Sequence, residues 1–320
     1  MRKLLASVLG IALAAAGTFA GEITVGFAQL GAESMWRTAN TDSVKGEAAR
    51  RGINLVFSDA QQKQENQIKA VRSFIAQGVD VIGLPPVVES GWEPVLREAQ
   101  EAGIPVILTD RRVDTSDESL YTAFLGSNFI TEGENAGNWL VRELMGRYGV
   151  VKGEVFELVG TVGAAPAIDR KKGFEAVIAK HPNLNIVKSQ SGDFTRAKGK
   201  EVMEAFIKSP EWDKAATKII YGHNDDMVLG AIQAIEEAGI NPGKECIIIG
   251  VDAIADAFEA IAQGKMHCTV ECNPLLGPQL FDMVEAVVAG KEVPKTVYSI
   301  EGTYDYYCAE ALLPWRRTLY

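Results

Sequence analysis

The chain has 320 residues and a formal net charge of −10, from 42 acidic and 32 basic side chains. This length exceeds what one hydrophobic core usually serves, so we expect two lobes. The negative charge argues against nucleic acid and anionic membrane surfaces as partners.

The N-terminal segment has the pattern of a secretory signal peptide. Basic residues precede an apolar stretch over residues 4–16, and small residues lead to Ala20. Because that stretch is too short to span a bilayer, we expect residues 1–20 to be cleaved from a periplasmic protein that begins at Gly21. An uncleaved membrane anchor is the alternative.

From there to residue 300, apolar strand-like runs alternate with helical patterns. The predicted strands are 22–28, 53–58, 79–84, 106–109, 120–125, 154–159, 185–189, 218–221, 246–251, 267–271 and 296–300. The predicted helices are 34–51, 65–77, 93–101, 131–145, 169–180, 195–207, 225–238 and 275–289. This alternation predicts the α/β class, with parallel sheets flanked by helices.

The segment after the first strand carries the aromatic candidate Trp36, and Phe194 is a second. The C–H face of a sugar stacks on such rings, although an aromatic at helical spacing is more often part of the core. Glu33 and Arg37 lie one helical turn apart and can reach the same ligand. Ser34 belongs to the same segment.

Asp110 and Arg111 follow the strand 106–109, at the edge of the sheet where ligands bind in open α/β folds. A carboxylate beside a guanidinium can accept from and donate to neighbouring hydroxyls of a sugar. A surface ion pair of little energetic value is the alternative.

Arg170 is predicted at a helix start, where a cation opposes the helix dipole, so we expect it to point at a ligand. An Arg170→Ala substitution is therefore expected to abolish binding with little loss of stability. Asn224 can donate and accept at the end of its strand. Asp225 and Asp226 suit the first turn of the next helix and are interpreted as structural.

Asp252 ends an apolar strand, and a buried carboxylate there needs partners. It can face a ligand or cap the helix that starts near Ile254. We expect a neighbouring arginine to lower the pKa of Asp252, which would make it a poor general acid. The sequence also lacks nucleotide-binding loops, nucleophile elbows and zinc-protease motifs. We therefore predict no catalytic residue and a protein that is not an enzyme.

The four cysteines leave the disulfide state open. Cys268 and Cys272 share a predicted strand, about 13 Å apart, too far to bond each other. If both are oxidised, each pairs with Cys246 or Cys308; buried free thiols are the alternative. We predict no metal site, because only His267 lies near these cysteines.

Seven segments together resemble a known family: 24–29, 33–37, 61–72, 91–96, 160–164, 189–196 and 223–227. The chain is similar to the periplasmic sugar-binding proteins of the ribose-binding class, the type I solute receptors of ABC importers, and within it to the galactofuranose-binding members. The likeness runs from about residue 22 to about residue 290, and the segment 304–320 does not match.

The resemblance implies two similar α/β lobes joined by three hinge crossovers near Ser127, Cys272 and Ile300. The N-terminal lobe would comprise 21–127 plus 273–300, and the C-terminal lobe 128–272 plus 301–320. At the second crossover this chain has Glu271-Cys272-Asn273 where the ribose receptors have an amide. The calcium loop of the glucose/galactose receptors is missing, so no metal or cofactor is implied.

The resemblance further implies that a monosaccharide, galactofuranose or a similar furanose or aldose, binds between the lobes. The residues that would hold it are Glu33, Ser34, Trp36, Arg37, Asp110 and Arg111 from the first lobe, and Arg170, Phe194, Asn224 and Asp252 from the second. The protein would be a monomer that delivers the sugar to an ABC permease. Alternatively, its closed form would signal to a chemoreceptor or histidine kinase.

Overall fold

The structure is a computed structural model that describes residues 22–320. The predicted signal peptide, residues 1–20, lies outside the described residues. Within 22–320 the helices are too short or too polar to cross a membrane.

The first run of the chain alternates strands with helices. It contains β1 (Thr24–Gln29), α1 (Met35–Arg51), β2 (Asn54–Asp59), α2 (Gln64–Gln77), β3 (Val81–Leu84), α3 (Glu93–Glu101), β4 (Val106–Asp110), a 3-10 turn (Glu118–Leu120) and β5 (Ala123–Gly126).

The second run repeats this pattern. It contains α4 (Phe129–Tyr148), β6 (Gly153–Val159), α5 (Ala165–Ile178), β7 (Leu184–Ser191), α6 (Arg196–Ile207), α7 (Pro210–Lys214), β8 (Lys218–Gly222), α8 (Asp225–Glu237), α9 (Pro242–Glu245), β9 (Cys246–Asp252), α10 (Ala255–Ala262) and β10 (Cys268–Glu271). The remaining elements are α11 (Gly277–Val288), β11 (Thr296–Tyr298), β12 (Thr303–Asp305) and α12 (Ala309–Arg316).

The strands form two sheets of six. Their orders are β11-β5-β4-β3-β1-β2 and β12-β10-β9-β8-β6-β7. The chain passes between the sheets three times: after β5, after β10 and again between β11 and β12. Neighbouring strands run parallel, except that β12 pairs antiparallel with β10. The α/β class and the three crossovers agree with the sequence prediction.

The first sheet is buried on both faces because successive side chains point to opposite sides. Val81 and Ile107 pack into one apolar cluster, whereas the next residues, Ile82 and Leu108, pack into another. All four side chains are nearly inaccessible to water. Helices therefore cover both faces, as expected for a parallel sheet.

The structure differs from the predicted elements at one site-bearing helix. α5 begins at Ala165 rather than Asp169, with Pro166 in its first turn, a position where proline needs no backbone N–H donor. Arg170 consequently lies in the second turn and not at the helix start.

The segment 304–320 also contains structure that the sequence analysis missed. α12 carries Arg316, which is fully buried and pairs with Glu271 at 2.7 Å. All four cysteines are free thiols, three of them buried, which is the second of the two alternatives left open by the sequence.

The close packing of α4 on α5 gives a stability prediction. A Cβ at Gly133 would lie 2.1 Å from the Arg170 carbonyl oxygen, whereas one at Gly146 in the same helix meets nothing within 4 Å. We expect Gly133→Ala to lower the free energy of unfolding by about 3 kcal/mol through overpacking. Gly146→Ala should raise it by up to about 1 kcal/mol because alanine favours the helix. Urea unfolding of both variants tests this, and equal effects would contradict it.

Candidate functional site

The strand ends of the two sheets meet around one small cavity, where the space between atoms, open solvent included, is about 280 Å³. The cavity is lined by Glu33, Ser34, Trp36, Arg37, Asp110, Arg111, Pro166, Arg170, Phe194, Asn224, Asp252 and Cys272. The structure thus brings together all ten residues singled out from the sequence and adds Pro166 and Cys272.

Arg37 is held by two carboxylates of its own lobe. Its Nε donates to Glu33 Oε1 at 3.1 Å, and its Nη2 donates to Asp110 Oδ2 at 2.6 Å. Ser34 starts the helix that carries it, since the Ser34 hydroxyl oxygen accepts from the Arg37 backbone N–H at 3.1 Å. Ser34 is therefore an N-cap as well as a lining residue.

Arg111 is a buried cation with few partners. Its Nη1 donates to the Val87 carbonyl at 2.9 Å, and its Nε lies 3.6 Å from Asp110. Burial and the nearby charge of Arg37 lower the pKa of Arg111 to about 10. The guanidinium remains charged at neutral pH and retains unused donors.

Among the cavity-lining residues of this lobe, three buried polar atoms lack a hydrogen-bond partner: Glu33 Oε2, Arg37 Nη1 and Arg111 Nε. Buried polar groups without partners are costly and uncommon in folded proteins. All three side chains line the cavity. They can donate to and accept from a small polar molecule there.

In the second lobe, Arg170 is oriented by Glu132 of α4, a residue that the sequence analysis missed. Arg170 Nε donates to Glu132 Oε2 at 2.6 Å, and its Nη1 donates to the His223 carbonyl. Both side chains of the pair are at most 4% exposed. Because removal of one partner strands a buried charge, the expectation that Arg170→Ala costs little stability is wrong. No local pattern points to Glu132, which lies 38 residues away in sequence.

Asp252 lines the cavity and does not cap α10, whose N-cap residue, Ile254, makes no side-chain capping bond. The backbone N–H of Ile254, the cap residue of α10, donates to Asp225 Oδ2 at 3.1 Å. Asp252 Oδ1 lies 3.8 Å from Arg170 Nη2. Burial nevertheless raises the pKa of Asp252 well above its ordinary value, so the predicted lowering by arginine is corrected. At this distance the arginine does not outweigh desolvation.

Asn224 caps α8, where its Oδ1 accepts from the Met227 N–H at 3.0 Å. Its Nδ2 donates to the Phe194 carbonyl at 3.0 Å. One amide hydrogen and one oxygen lone pair remain for a ligand. Asn224 therefore also fixes the backbone that presents Phe194.

Different contacts hold the two aromatic rings at the cavity. Trp36 Nε1 donates to the Cys272 carbonyl at 2.7 Å, which ties α1 to the second crossover. The Phe194 ring lies so close to Gly160 that a Cβ there would be 1.9 Å from it. The φ of Phe194 is +59°, a positive value that residues other than glycine rarely adopt.

Direct contacts join the two lobes at the rim of the cavity. The Met35 backbone N–H donates to Asp226 Oδ2 at 2.8 Å, and the Glu89 N–H donates to the Gly163 carbonyl at 2.9 Å. Asp226 was interpreted as structural within its own helix, and the structure adds this bond between lobes. These contacts describe a closed arrangement.

Beneath the cavity lies a group of residues whose donor atoms could in principle hold a metal ion. The oxygens of Glu132 and Glu301 and the sulfur of Cys272 lie within 4.8 Å of one another. Arg170 already occupies one oxygen of Glu132, and a closed zinc site needs four ligands. The group of Glu132, Glu301 and Cys272 therefore fits a metal ion poorly.

The comparisons with known proteins agree with this geometry. The periplasmic binding protein domain family matches residues 25–292. The chain is 49% identical over 302 residues, 94% of this chain and 93% of the relative, to the galactofuranose-binding protein YtfQ of Escherichia coli (strain K12).

Two solved structures are similarly close. A Mycobacterium smegmatis protein in complex with β-D-fucofuranose is 52% identical with a TM-score of 0.88, over 92% of this chain and 95% of that one. The binding protein of the arabinose ABC transporter from Shewanella sp. ANA-3, bound to α- and β-L-arabinofuranose, is 49% identical with a TM-score of 0.87, over 92% and 96%. The family match covers well over half of the sequence, and the chain belongs to the periplasmic binding protein family.

Proposed function

We propose that this protein is the solute receptor of an ABC importer and that it binds a monosaccharide in its furanose form. The observation that carries the proposal is the set of unpartnered buried atoms of Glu33, Arg37 and Arg111 around one small cavity. A small neutral polyol satisfies these atoms without adding a charge to the buried site. The protein binds and releases its sugar and is not an enzyme, as expected for this family.

The lining residues would contact the sugar in chemically different ways. Trp36 and Phe194 offer ring faces to the C–H surfaces of the sugar. Arg111, Arg170 and Asn224 donate to ring and hydroxyl oxygens, and Glu33 and Asp110 accept from hydroxyls. Asp252 also lines the cavity; with its raised pKa it can donate when protonated and accept when ionised.

The relatives support a furanose ligand. Their names and bound ligands mention galactofuranose, β-D-fucofuranose and L-arabinofuranose. Furanose and pyranose rings offer the same hydroxyl groups, so the shape of the pocket distinguishes them more than the types of its lining residues do. We therefore propose galactofuranose, arabinofuranose or a related aldofuranose.

The working cycle would combine hinge motion with export. Residues 1–20 would direct the chain to the periplasm, where the mature monomer would close its lobes, 21–127 plus 273–300 and 128–272 plus 301–320, around the sugar. Sugar favours the closed form because it contacts both lobes only there. The permease would then recognise that closed form.

Calorimetric titration of sugar-stripped protein tests the ligand class. L-Arabinose and D-galactose, which populate furanose rings in water, should bind one to one, with an apparent affinity that scales with their furanose fraction. D-Glucose, which has very little furanose, should give no measurable heat. Preferential binding of D-glucose would contradict the furanose proposal, and silence across all three sugars would contradict the ligand class.

Two arginine variants separate binding from stability. Arg111→Met should lower the affinity for L-arabinose by at least about a hundredfold. Its loss in the free energy of unfolding should be smaller than that of Arg170→Met, because Arg37 still neutralises Asp110 and only the bond to the Val87 carbonyl is lost. Arg170→Met should lower affinity and also cost about 3 kcal/mol of stability, because Glu132 is left unpaired. Titration and urea unfolding measure both quantities, and full affinity in Arg111→Met would refute the assigned site.

A further inference from the structure

We propose that the hinge holds one proton between the carboxyl groups of Glu301 and Glu132, and that this proton is linked to sugar binding. The linkage rests on the proposed function, whereas the proton site itself does not. Neither residue was singled out by the sequence analysis.

Glu301 joins all three crossovers through one carboxyl group. It lies between β11 and β12, and its Oε1 accepts from the Ser127 hydroxyl of the first crossover. The same oxygen accepts from the Asn273 backbone N–H of the second crossover at 3.0 Å. Hinge segments are the residues that change conformation when lobes open and close, so the surroundings of Glu301 depend on closure.

The surroundings of Glu301 favour its protonated form. Glu132 and Cys272 approach it within 4.8 Å, and the nearby cation, Arg170, is already shared between Glu132 and Asp252. Glu132 is buried and Glu301 is half-buried, and two such carboxyls that share one cation cannot both ionise cheaply. Burial and the charge of Glu132 raise the pKa of Glu301 to about 8.

A proton on Glu301 would also satisfy an atom that lacks a partner. Glu132 is 2% exposed, its Oε2 accepts from Arg170, and its Oε1 is buried with no hydrogen-bond partner. Protonated Glu301 gains an O–H donor within 4.8 Å of the Glu132 carboxyl, whereas ionised Glu301 offers only acceptors. The geometry therefore favours one shared proton over two charges.

A metal ion fits these groups less well than a proton. The Arg170 guanidinium occupies one side of Glu132, and burial raises the pKa of the Cys272 thiol well above its ordinary range, which keeps the sulfur protonated. A thiol must lose its proton before it binds a metal.

The linkage to sugar follows from the position of Arg170. This residue lines the cavity and pairs with Glu132, so the charge on Glu301 acts on a guanidinium that would contact the ligand. Closure buries Glu301 among the three crossovers and raises its pKa relative to the open form. By reciprocity, sugar binding then takes up a proton, and affinity falls as pH rises through about 8.

Unfolding measured against pH, without sugar, tests the proton site. The folded-state pKa of about 8 lies above the ordinary value of 4.5, so Glu301 contributes stability below pH 4.5 that is lost as pH rises to about 8. Across that window its contribution raises the unfolding constant about tenfold per pH unit. Glu301→Gln, a neutral isostere that can keep the bonds to Ser127 and Asn273, should reduce the measured slope by this contribution, while Asp225, whose pKa burial also raises to about 8, still contributes. Glu292→Gln, at an exposed glutamate, should keep it.

An identical slope in the wild type and Glu301→Gln would overturn the proton site. A slope that changes when zinc is added or chelated would overturn it in favour of a metal site. Carboxyl-carbon NMR of the folded protein gives a second readout, in which a resonance that titrates near pH 8 should vanish in Glu301→Gln.

Calorimetry with L-arabinose at pH 8 in buffers of different ionisation enthalpy tests the linkage. The wild type should take up a fraction of a proton on binding, and Glu301→Gln should take up less. Binding without proton uptake in the wild type would refute the linkage. Failure of every sugar to bind would instead refute the proposed function and the linkage with it, while the sugar-free stability slope still decides the proton site.

Discussion

The burial of three arginines around one small cavity is the constraint on which this site depends. A cation removed from water needs a counter-charge or several hydrogen bonds. Arg37 has both Glu33 and Asp110, and Arg170 has Glu132, each within its own lobe. Arg111 contacts mainly a carbonyl, so its charge is the least compensated. Across both lobes, however, the three carboxyls of Glu33, Asp110 and Glu132 match the three guanidinium groups in number. This balance suits a neutral ligand rich in hydroxyls.

Backbone strain complements this arrangement of charges. Asp110, Phe194 and Asp252 have φ values of +61°, +59° and +126°, in regions that cost non-glycine residues about 1–3 kcal/mol each. All three line the cavity. Their neighbours hold them there, as Asn224 does for the Phe194 backbone. The side chains are thus positioned before a ligand arrives, which reduces the entropy lost on binding.

The sequence predicted those parts of the site that follow from the geometry of parallel sheets. Asp110 and Asp252 end strands, and the ends of parallel strands meet at one edge, so both could be placed without coordinates. Glu132 and Glu301 could not be placed, because each acts on residues far away in sequence through packing that no local pattern encodes. The start of α5 was missed because Pro166 was not read as a first-turn residue.

The start of α10 is a second place where the sequence alone could not predict which residue makes a contact. Asp252 was a local candidate to cap α10, yet that helix has no side-chain cap. The backbone N–H of its N-cap residue, Ile254, donates instead to Asp225 of α8. Both residues are aspartates near a helix start, and the sequence offers no means to choose between them. The choice depends on how α8 packs against β9, which only the folded structure specifies.

The late position of β11 has a consequence for synthesis of the chain. β11 covers the edge of β5 in the first sheet, yet the whole run from α4 to β10 lies between them in sequence. As the polypeptide emerges from the ribosome, β5 remains an uncovered edge strand, and such edges invite pairing with other chains. The first sheet cannot be completed until most of the second has been translated.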